Sequence, residues 1–272
     1  MPDIVIHGIV SAMYVGLAWH FWNTRWRGRA PAGVQQAGLR GWERAAILVP
    51  LGLHGWLLYQ GVLGKELRFG FAQALSVMMF IGVALYWVES LYYNLEGLQP
   101  LVLPLAALAA PLPALFAGRS IRDFGTEFKL HLILAMIAYS LFVMALLHAA
   151  LMALVERRLH QRSASPPGNL PPLLTVEHSL FRVIAAAFVF LTLTLATGMA
   201  LTDAMFGRLL RFNHETVFAI LSWATFAGLL LGRYAYGWRG RTALRWTIAG
   251  FVLVLLANIG TAFVLEVVLR RT

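Results

Sequence analysis

Long apolar segments separated by short polar loops dominate this chain of 272 residues. Each segment reaches about 20 residues, the length that an α-helix needs to cross the hydrocarbon core of a bilayer. No room is left for a separate soluble domain, since 60% of the residues are hydrophobic and only 12% are charged. The sequence therefore predicts an all-α polytopic membrane bundle, a single domain over residues 1–272 with about eight transmembrane helices. The predicted spans cover about residues 3–22, 43–63, 70–90, 98–117, 128–154, 180–203, 214–234 and 244–268.

The fourth span and the segment after the fifth are rich in proline. Pro100, Pro104, Pro111 and Pro113 lie in the fourth span, so we expect a kinked or re-entrant helix whose freed backbone groups are satisfied by neighbouring helices. Prolines within residues 159–178 prevent a helix from continuing there. This segment is predicted to be a cytoplasmic linker between spans five and six.

The basic residues orient the predicted bundle. Thirteen of the 22 lysines and arginines lie in the odd-numbered loops, and the other nine lie in the even-numbered loops and the C-terminal tail. The positive-inside rule then places both termini outside and loops 1, 3, 5 and 7 in the cytoplasm. Anionic lipid headgroups account for the formal net charge of +10, so no nucleic-acid partner is predicted. The thirteen are Arg25, Arg27, Arg29, Arg40, Arg44, Arg157, Arg158, Arg162, Arg182, Arg233, Arg239, Arg241 and Arg245.

Several kinds of site are excluded by what the sequence lacks. Because there is no cysteine, the chain forms no disulfide, thiolate metal site, iron–sulfur site or covalent haem attachment. Polar residues in mid-span are too few to predict a dedicated ion channel. No nucleophile–base pattern or nucleotide-binding loop predicts an enzyme.

Two histidines, His131 and His214, stand at the starts of spans five and seven, on the side predicted to be outside. Two neutral imidazoles from separate helices are what axial ligation of a haem iron requires. The other interpretation is that each is an ordinary residue of the membrane–water interface with a satisfied hydrogen bond. Residues within about two turns of the histidines would form the apolar haem slot: Leu134, Ala135, Ala138, Phe218 and Ser222. Cations that would meet the haem propionates are Lys129, Arg208 and Arg211.

Other histidines and acids offer alternatives. His54 lies near the middle of span two, where an ionisable group is costly unless it faces the bundle interior. It is interpreted as a reserve haem ligand, a proton-relay group or a buried hydrogen-bonding residue. His20 and His148 lie toward the cytoplasmic side and would form a second, inner site. Glu89 and Glu266 are the acids placed to orient a histidine through its second ring nitrogen.

The second half of the chain carries a set of motifs around the histidine pair. They are His131–Ser140, Glu156–Leu159, Leu170–Glu177, Phe188–Gly198, Ser222–Trp223 and Gly237–Arg241, joined in the first half by Leu53–His54 and Leu58–Gln60. At these motifs the chain resembles the cytochrome c assembly protein family, which includes CcsA-, CcmC- and HemX-like membrane proteins, and in particular its YpjD branch. The resemblance implies a haem-handling membrane protein with an outward-facing histidine pair, onto which His131 and His214 map. The main assembly proteins also carry a tryptophan-rich segment between those histidines, whereas residues 204–213 contain no tryptophan.

The sequence and this resemblance together predict a haem-binding protein of the bacterial inner membrane that handles haem or assists cytochrome c-type assembly. Haem b would be held non-covalently by His131 and His214 near the outer face, with His54 in reserve. The predicted partners are haem, membrane lipids and a membrane protein or an apocytochrome. The alternative function is a haem-free accessory or regulatory subunit of another membrane protein or transporter. Such a subunit would dock through the aromatic and basic residues of Arg233–Arg241, which otherwise suit anchoring in the headgroup layer.

Overall fold

The computed structural model describes residues 2–27, 39–63, 67–116, 118–121, 125–160, 171–206 and 214–263. Almost all of them are helical. The helices are α1 (Pro2–Phe21, continued by a π-helical turn Trp22–Trp26), α2 (Gly41–Leu63), α3 (Phe71–Tyr92), α4 (Gln99–Ala109), α5 (Leu112–Leu115), α6 (Thr126–His160), α7 (Leu173–Phe206), α8 (His214–Tyr236) and α9 (Gly240–Phe263). The prediction of a helical membrane protein is confirmed.

Six helices in the described part of the chain are long and apolar enough to cross a membrane. They comprise Ile4–Trp26, Phe71–Tyr92, Thr126–Arg158, Leu173–Thr202, His214–Tyr236 and Gly240–Ala257. The second predicted span forms α2, a helix of 23 residues with Pro50 inside it. The fourth is divided into α4 and α5 by a turn at Ala110–Pro111, because proline lacks the N–H that a continuous helix needs. The break in the fourth span was predicted, whereas the count of eight spans stays a prediction.

Two short strands were not predicted. β1 (Leu67–Phe69) and β2 (Arg119–Ile121) pair antiparallel, with Arg68 opposite Ser120. Each strand lies in a loop between helices, so their pairing gives the loop backbones hydrogen-bond partners that the helices do not supply. The all-α class is correct apart from this pair.

The long helix α6 lies at the centre of the packing, in contact with α3, α7 and α9. Apolar side chains at a lipid-exposed surface gain nothing from burial, so helices in a membrane associate through close packing and small residues. Gly250 of α9 is an example, since a Cβ there would lie 2.6 Å from the ring of Phe226. Phe226 is fully buried and stacks on Phe142 of α6, with ring centroids 4.0 Å apart. These rings join α6, α8 and α9.

The odd-numbered loops meet at one end of the bundle. Trp26 donates from its indole Nε1 to the carbonyl of Gly97 at 3.1 Å, and the Arg158 guanidinium lies 5.4 Å from the Trp26 ring centroid. Glu177, at the start of α7, contacts Arg233 at the end of α8, with 2.6 Å between carboxylate oxygen and guanidinium nitrogen. We call this the basic end. The loops that the charge pattern assigned to one side of the membrane therefore do lie together.

Candidate functional site

The His131 ring is held by α7 at the end of the bundle opposite the basic end. Its Nδ1 lies 2.9 Å from the Thr197 hydroxyl oxygen. That hydroxyl donates its single proton within α7, to the Leu193 carbonyl at 2.9 Å. When that proton stays within α7, the Nδ1–H of His131 donates to Thr197, and a neutral ring then keeps its lone pair on Nε2. In that tautomer Nε2 is available to bind a metal while the hydrogen bond of Nδ1 fixes the ring orientation.

Gly198 leaves the space that this ring uses. A Cβ at Gly198 would lie 3.2 Å from Cε1 of His131, closer than ordinary van der Waals contact. Thr197 and Gly198 thus orient the histidine from a helix distant in sequence. Reasoning from the sequence did not assign them this role, although both fall in the Phe188–Gly198 motif that carried the family resemblance.

His214 is the first residue of α8 and is exposed. The stacked pair of Phe142 and Phe226 relates the position of His214 along the bundle axis to that of His131. His131 lies 11 residues before Phe142 on α6 and His214 lies 12 residues before Phe226 on α8, about 16 and 18 Å along the two axes. Both helices run antiparallel to α7, so the two histidines reach about the same level. His214 is also about 120° around its helix from Phe226, in agreement with its exposure.

The residues predicted to line a haem slot lie in different environments. Ala135 and Ala138 of α6 are buried in the core, as small residues beside a packed helix should be. Ser222 is also buried, but its hydroxyl donates to the Gly250 carbonyl at 3.0 Å. This hydrogen bond places Ser222 on the side of α8 that contacts α9, and its assignment to a haem slot stays a prediction. Lys129 is exposed, and three residues named in the sequence predictions lie outside the described residues: Arg208, Arg211 and Glu266.

His54 is fully buried between three helices. Its Nε2 lies 2.9 Å from the Ser76 hydroxyl of α3, and its Nδ1 lies 3.4 Å from the Tyr14 hydroxyl of α1. The ring of Phe80 covers the space beside Gly55, where a Cβ would approach it to 2.9 Å. Both ring nitrogens of His54 have hydroxyl partners, so ligation of an iron would require one hydrogen bond to break. The geometry favours the buried hydrogen-bonding interpretation.

His148 belongs to a buried polar cluster that joins α3, α6 and α7. Its Nδ1 donates to the Met144 carbonyl at 2.7 Å, and its Nε2 lies 3.3 Å from a Glu89 carboxylate oxygen. The Ser179 hydroxyl lies 3.2 Å from the same Nε2 and 3.2 Å from the other Glu89 oxygen. In a Ser-His-acid triad the acid accepts from Nδ1, so this cluster is not one. Glu89 thus lies beside a histidine ring nitrogen, and its role in orienting a histidine by accepting a ring proton stays a prediction.

His20 lies in a different cluster, centred on the buried Arg25. Glu43 accepts from Arg25 Nη2 at 2.9 Å and lies 3.0 Å from Nε2 of His20. Glu96 lies on the other side of the guanidinium, 3.9 Å from Nη1. The structure thus gives His20 and His148 separate acidic partners. Across the described ranges, no group of three or more His, Cys, Asp or Glu side chains forms a metal-binding set.

Glu96 makes stability depend on pH. Burial raises the pKa of the Glu96 carboxyl from 4.5 to about 7, against the opposing effect of Arg25 and with a smaller rise from Glu43. The folded state binds this proton more tightly than the unfolded chain does. The stability that protonation of Glu96 contributes is therefore fully present below about pH 4.5 and is lost as the pH rises to about 7. We expect Glu96→Gln to remove this loss. The test compares Tm in detergent at pH 5 and pH 8, and an equal fall for wild type and variant would contradict the assignment.

The chain matches the family profile described as Cytochrome C assembly protein over residues 43–269. An uncharacterized 28.8 kDa protein of Azospirillum brasilense is 32% identical over 236 residues, 83% of this chain and 85% of that protein. The inner membrane protein YpjD of Escherichia coli K12 is 30% identical over 138 residues, 51% of this chain. The chain matches about half the length of YpjD, 52%.

A more distant relative is named for its function. The cytochrome c biogenesis protein CcsA of Prochlorococcus marinus strain MIT 9515 is 32% identical over 83 residues, which are 30% of this chain and 27% of that protein. No solved structure matches. The resemblance drawn from the histidine motifs is confirmed by these comparisons.

Proposed function

Because this chain belongs to the cytochrome c assembly protein family, we propose that it binds haem b non-covalently through His131 and His214. It is a multi-pass protein of the bacterial inner membrane. Haem would supply an iron that binds imidazole nitrogen, and His131 and His214 are the residues that would hold it. The chain's own contribution is to present the two rings from different helices at one level.

One observation carries this proposal, the hydrogen bond from His131 Nδ1 to Thr197 at 2.9 Å. It leaves the Nε2 lone pair for the iron and holds the ring plane against Gly198. A ring fixed in advance loses less conformational freedom when it binds a ligand.

The proposed topology places the pair at the outer face. Eight crossings with both termini outside would put the basic end in the cytoplasm, in accord with the positive-inside rule. His131 and His214 lie at the other end. α2 would complete the eight crossings, together with α4 and α5 as a broken span packed against α1 and α3.

The proposed role is haem handling during assembly of a haem protein, with an apocytochrome or another membrane protein as partner. The biogenesis named for the CcsA relative supports this assignment. The segment at residues 204–213 contains no tryptophan. This favours an accessory or regulatory role over direct attachment of haem to an apocytochrome. His54 stays a proposed reserve ligand, at the cost of its Ser76 hydrogen bond.

The test is the absorption spectrum of protein purified in mild detergent from haem-replete cells. We expect a Soret band and split α and β bands typical of low-spin iron with two imidazole ligands, and about one haem per chain by pyridine haemochrome assay. A colourless preparation that also fails to bind added haemin would contradict the proposal. That result would favour the haem-free accessory subunit.

A further inference from the structure

A cavity of about 310 Å³ opens at the basic end between the last turns of α6 and the first turns of α9. Three arginines line it, Arg157 from α6 and Arg241 and Arg245 from α9, together with the single carboxylate of Glu156. Its remaining wall is apolar and includes Met152 and Leu244. The cavity is separate from the histidine pair, which lies at the other end of the bundle.

Among the described residues, basic side chains outnumber acidic side chains around this cavity. Arg241 approaches Glu156 only to 3.9 Å, and its side chain is 81% exposed. Within the described ranges, Arg157 and Arg245 have no carboxylate partner. Three guanidinium groups against one carboxylate leave an excess of two positive charges. The first turn of α9 adds the positive end of a helix dipole at the same place.

Aromatic residues indicate the position of the cavity along the membrane normal. Trp238 and Trp246 lie beside one another, with ring centroids 5.0 Å apart, and Tyr236 stacks on Trp238. Tryptophan and tyrosine collect at the level of the lipid headgroups. Trp246 is the residue after Arg245 on α9, so the arginines of the cavity stand at the same level.

We propose that this cavity binds the phosphate of an anionic phospholipid headgroup, with the apolar wall against its glycerol and the start of its acyl chains. Arginine forms bidentate hydrogen bonds with phosphate oxygens. The volume is at the lower end of the range for ligand pockets, which suits a headgroup better than a nucleotide. This inference does not depend on haem binding, because none of the cavity residues belongs to the proposed haem site.

The experiment measures binding of phosphatidylglycerol and phosphatidylcholine to the full chain in mixed micelles, by quenching of tryptophan fluorescence with brominated lipids. We expect wild type to prefer phosphatidylglycerol about tenfold, and Arg157→Gln with Arg245→Gln to lose most of that preference. The matched control is Arg68→Gln with Arg27→Gln, which removes the same charge from exposed positions outside the cavity. The control should keep the preference.

Three results would overturn the proposal. Wild type without a preference for phosphatidylglycerol would exclude the site, and an equal loss in both double variants would assign the effect to overall charge. Displacement of phosphatidylglycerol by millimolar inorganic phosphate would assign the cavity to a free anion instead of a lipid. Because the substituted side chains are exposed, we expect unchanged Tm values, which would show that a lost preference is not due to unfolding.

Discussion

His131→Ala is expected to lower the haem content of the purified protein at least tenfold and to remove the low-spin α and β bands. Under the proposed ligation the substitution deletes one of the two imidazole nitrogens that would hold the haem, and no other described histidine is positioned by Thr197 and Gly198 to replace it. The measurement is the ratio of Soret to protein absorbance, with haem quantified per chain. An unchanged spectrum would exclude His131 as a ligand and direct attention to His54.

Thr197→Val separates ligation from orientation. Valine keeps the shape of threonine but cannot accept the Nδ1–H of His131, so both the ring and its tautomer are released. Loss of such a partner costs about 10- to 100-fold in metal affinity. We expect weaker haem binding with the low-spin spectrum retained at saturation. His178→Ala, at an exposed histidine of α7, is the matched control and should leave both the spectrum and the affinity unchanged.

Arg25→Met is expected to destabilise the fold by about 3–5 kcal/mol, because it leaves buried carboxylates without their cation. Arg25 is 0% exposed, and Glu43 and Glu96 beside it are 2% and 7% exposed. A loss of this size corresponds to a fall in Tm of about 10 °C for a chain of this length. The measurement is thermal unfolding in detergent, with Arg27→Met as the control at an exposed arginine nearby.

A second variant distinguishes loss of charge from loss of packing. Glu43→Gln added to Arg25→Met removes one of the stranded carboxylates while the volumes stay similar. We expect the double variant to recover part of the lost stability, since removing both members of a buried pair costs less than removing one. Equal instability of the single and double variants would mean that Arg25 acts through its packing, and the cluster would then have no electrostatic role.

The sequence was informative about His131 and His214 up to a definite point. Their positions at the starts of two spans predicted a shared end of the bundle, and the register of Phe142 with Phe226 places them at one level. The hydrogen-bond partner of His131 could not be predicted, because Thr197 is 66 positions away along the chain. Its contact exists only because α6 and α7 pack antiparallel.

His54 and Arg25 illustrate the opposite case. A histidine in mid-span suggested a functional group, yet Ser76 and Tyr14 satisfy both of its ring nitrogens. Arg25 was counted as an ordinary basic residue of a cytoplasmic loop, although it is fully buried between two carboxylates. The local sequence predicts neither environment, because the partners belong to other helices.

The sequence by itself determined that this protein is a helical membrane protein, that its basic loops share one end, and which family it belongs to. Span length, charge distribution and short motifs are local properties, so they can be read along the chain. The tertiary structure decided which hydroxyl lies beside Nδ1 of His131, which histidines are already engaged, and where three arginines line a cavity. These outcomes depend on which faces of distant helices meet, and periodicity in one segment contains no information about its neighbour.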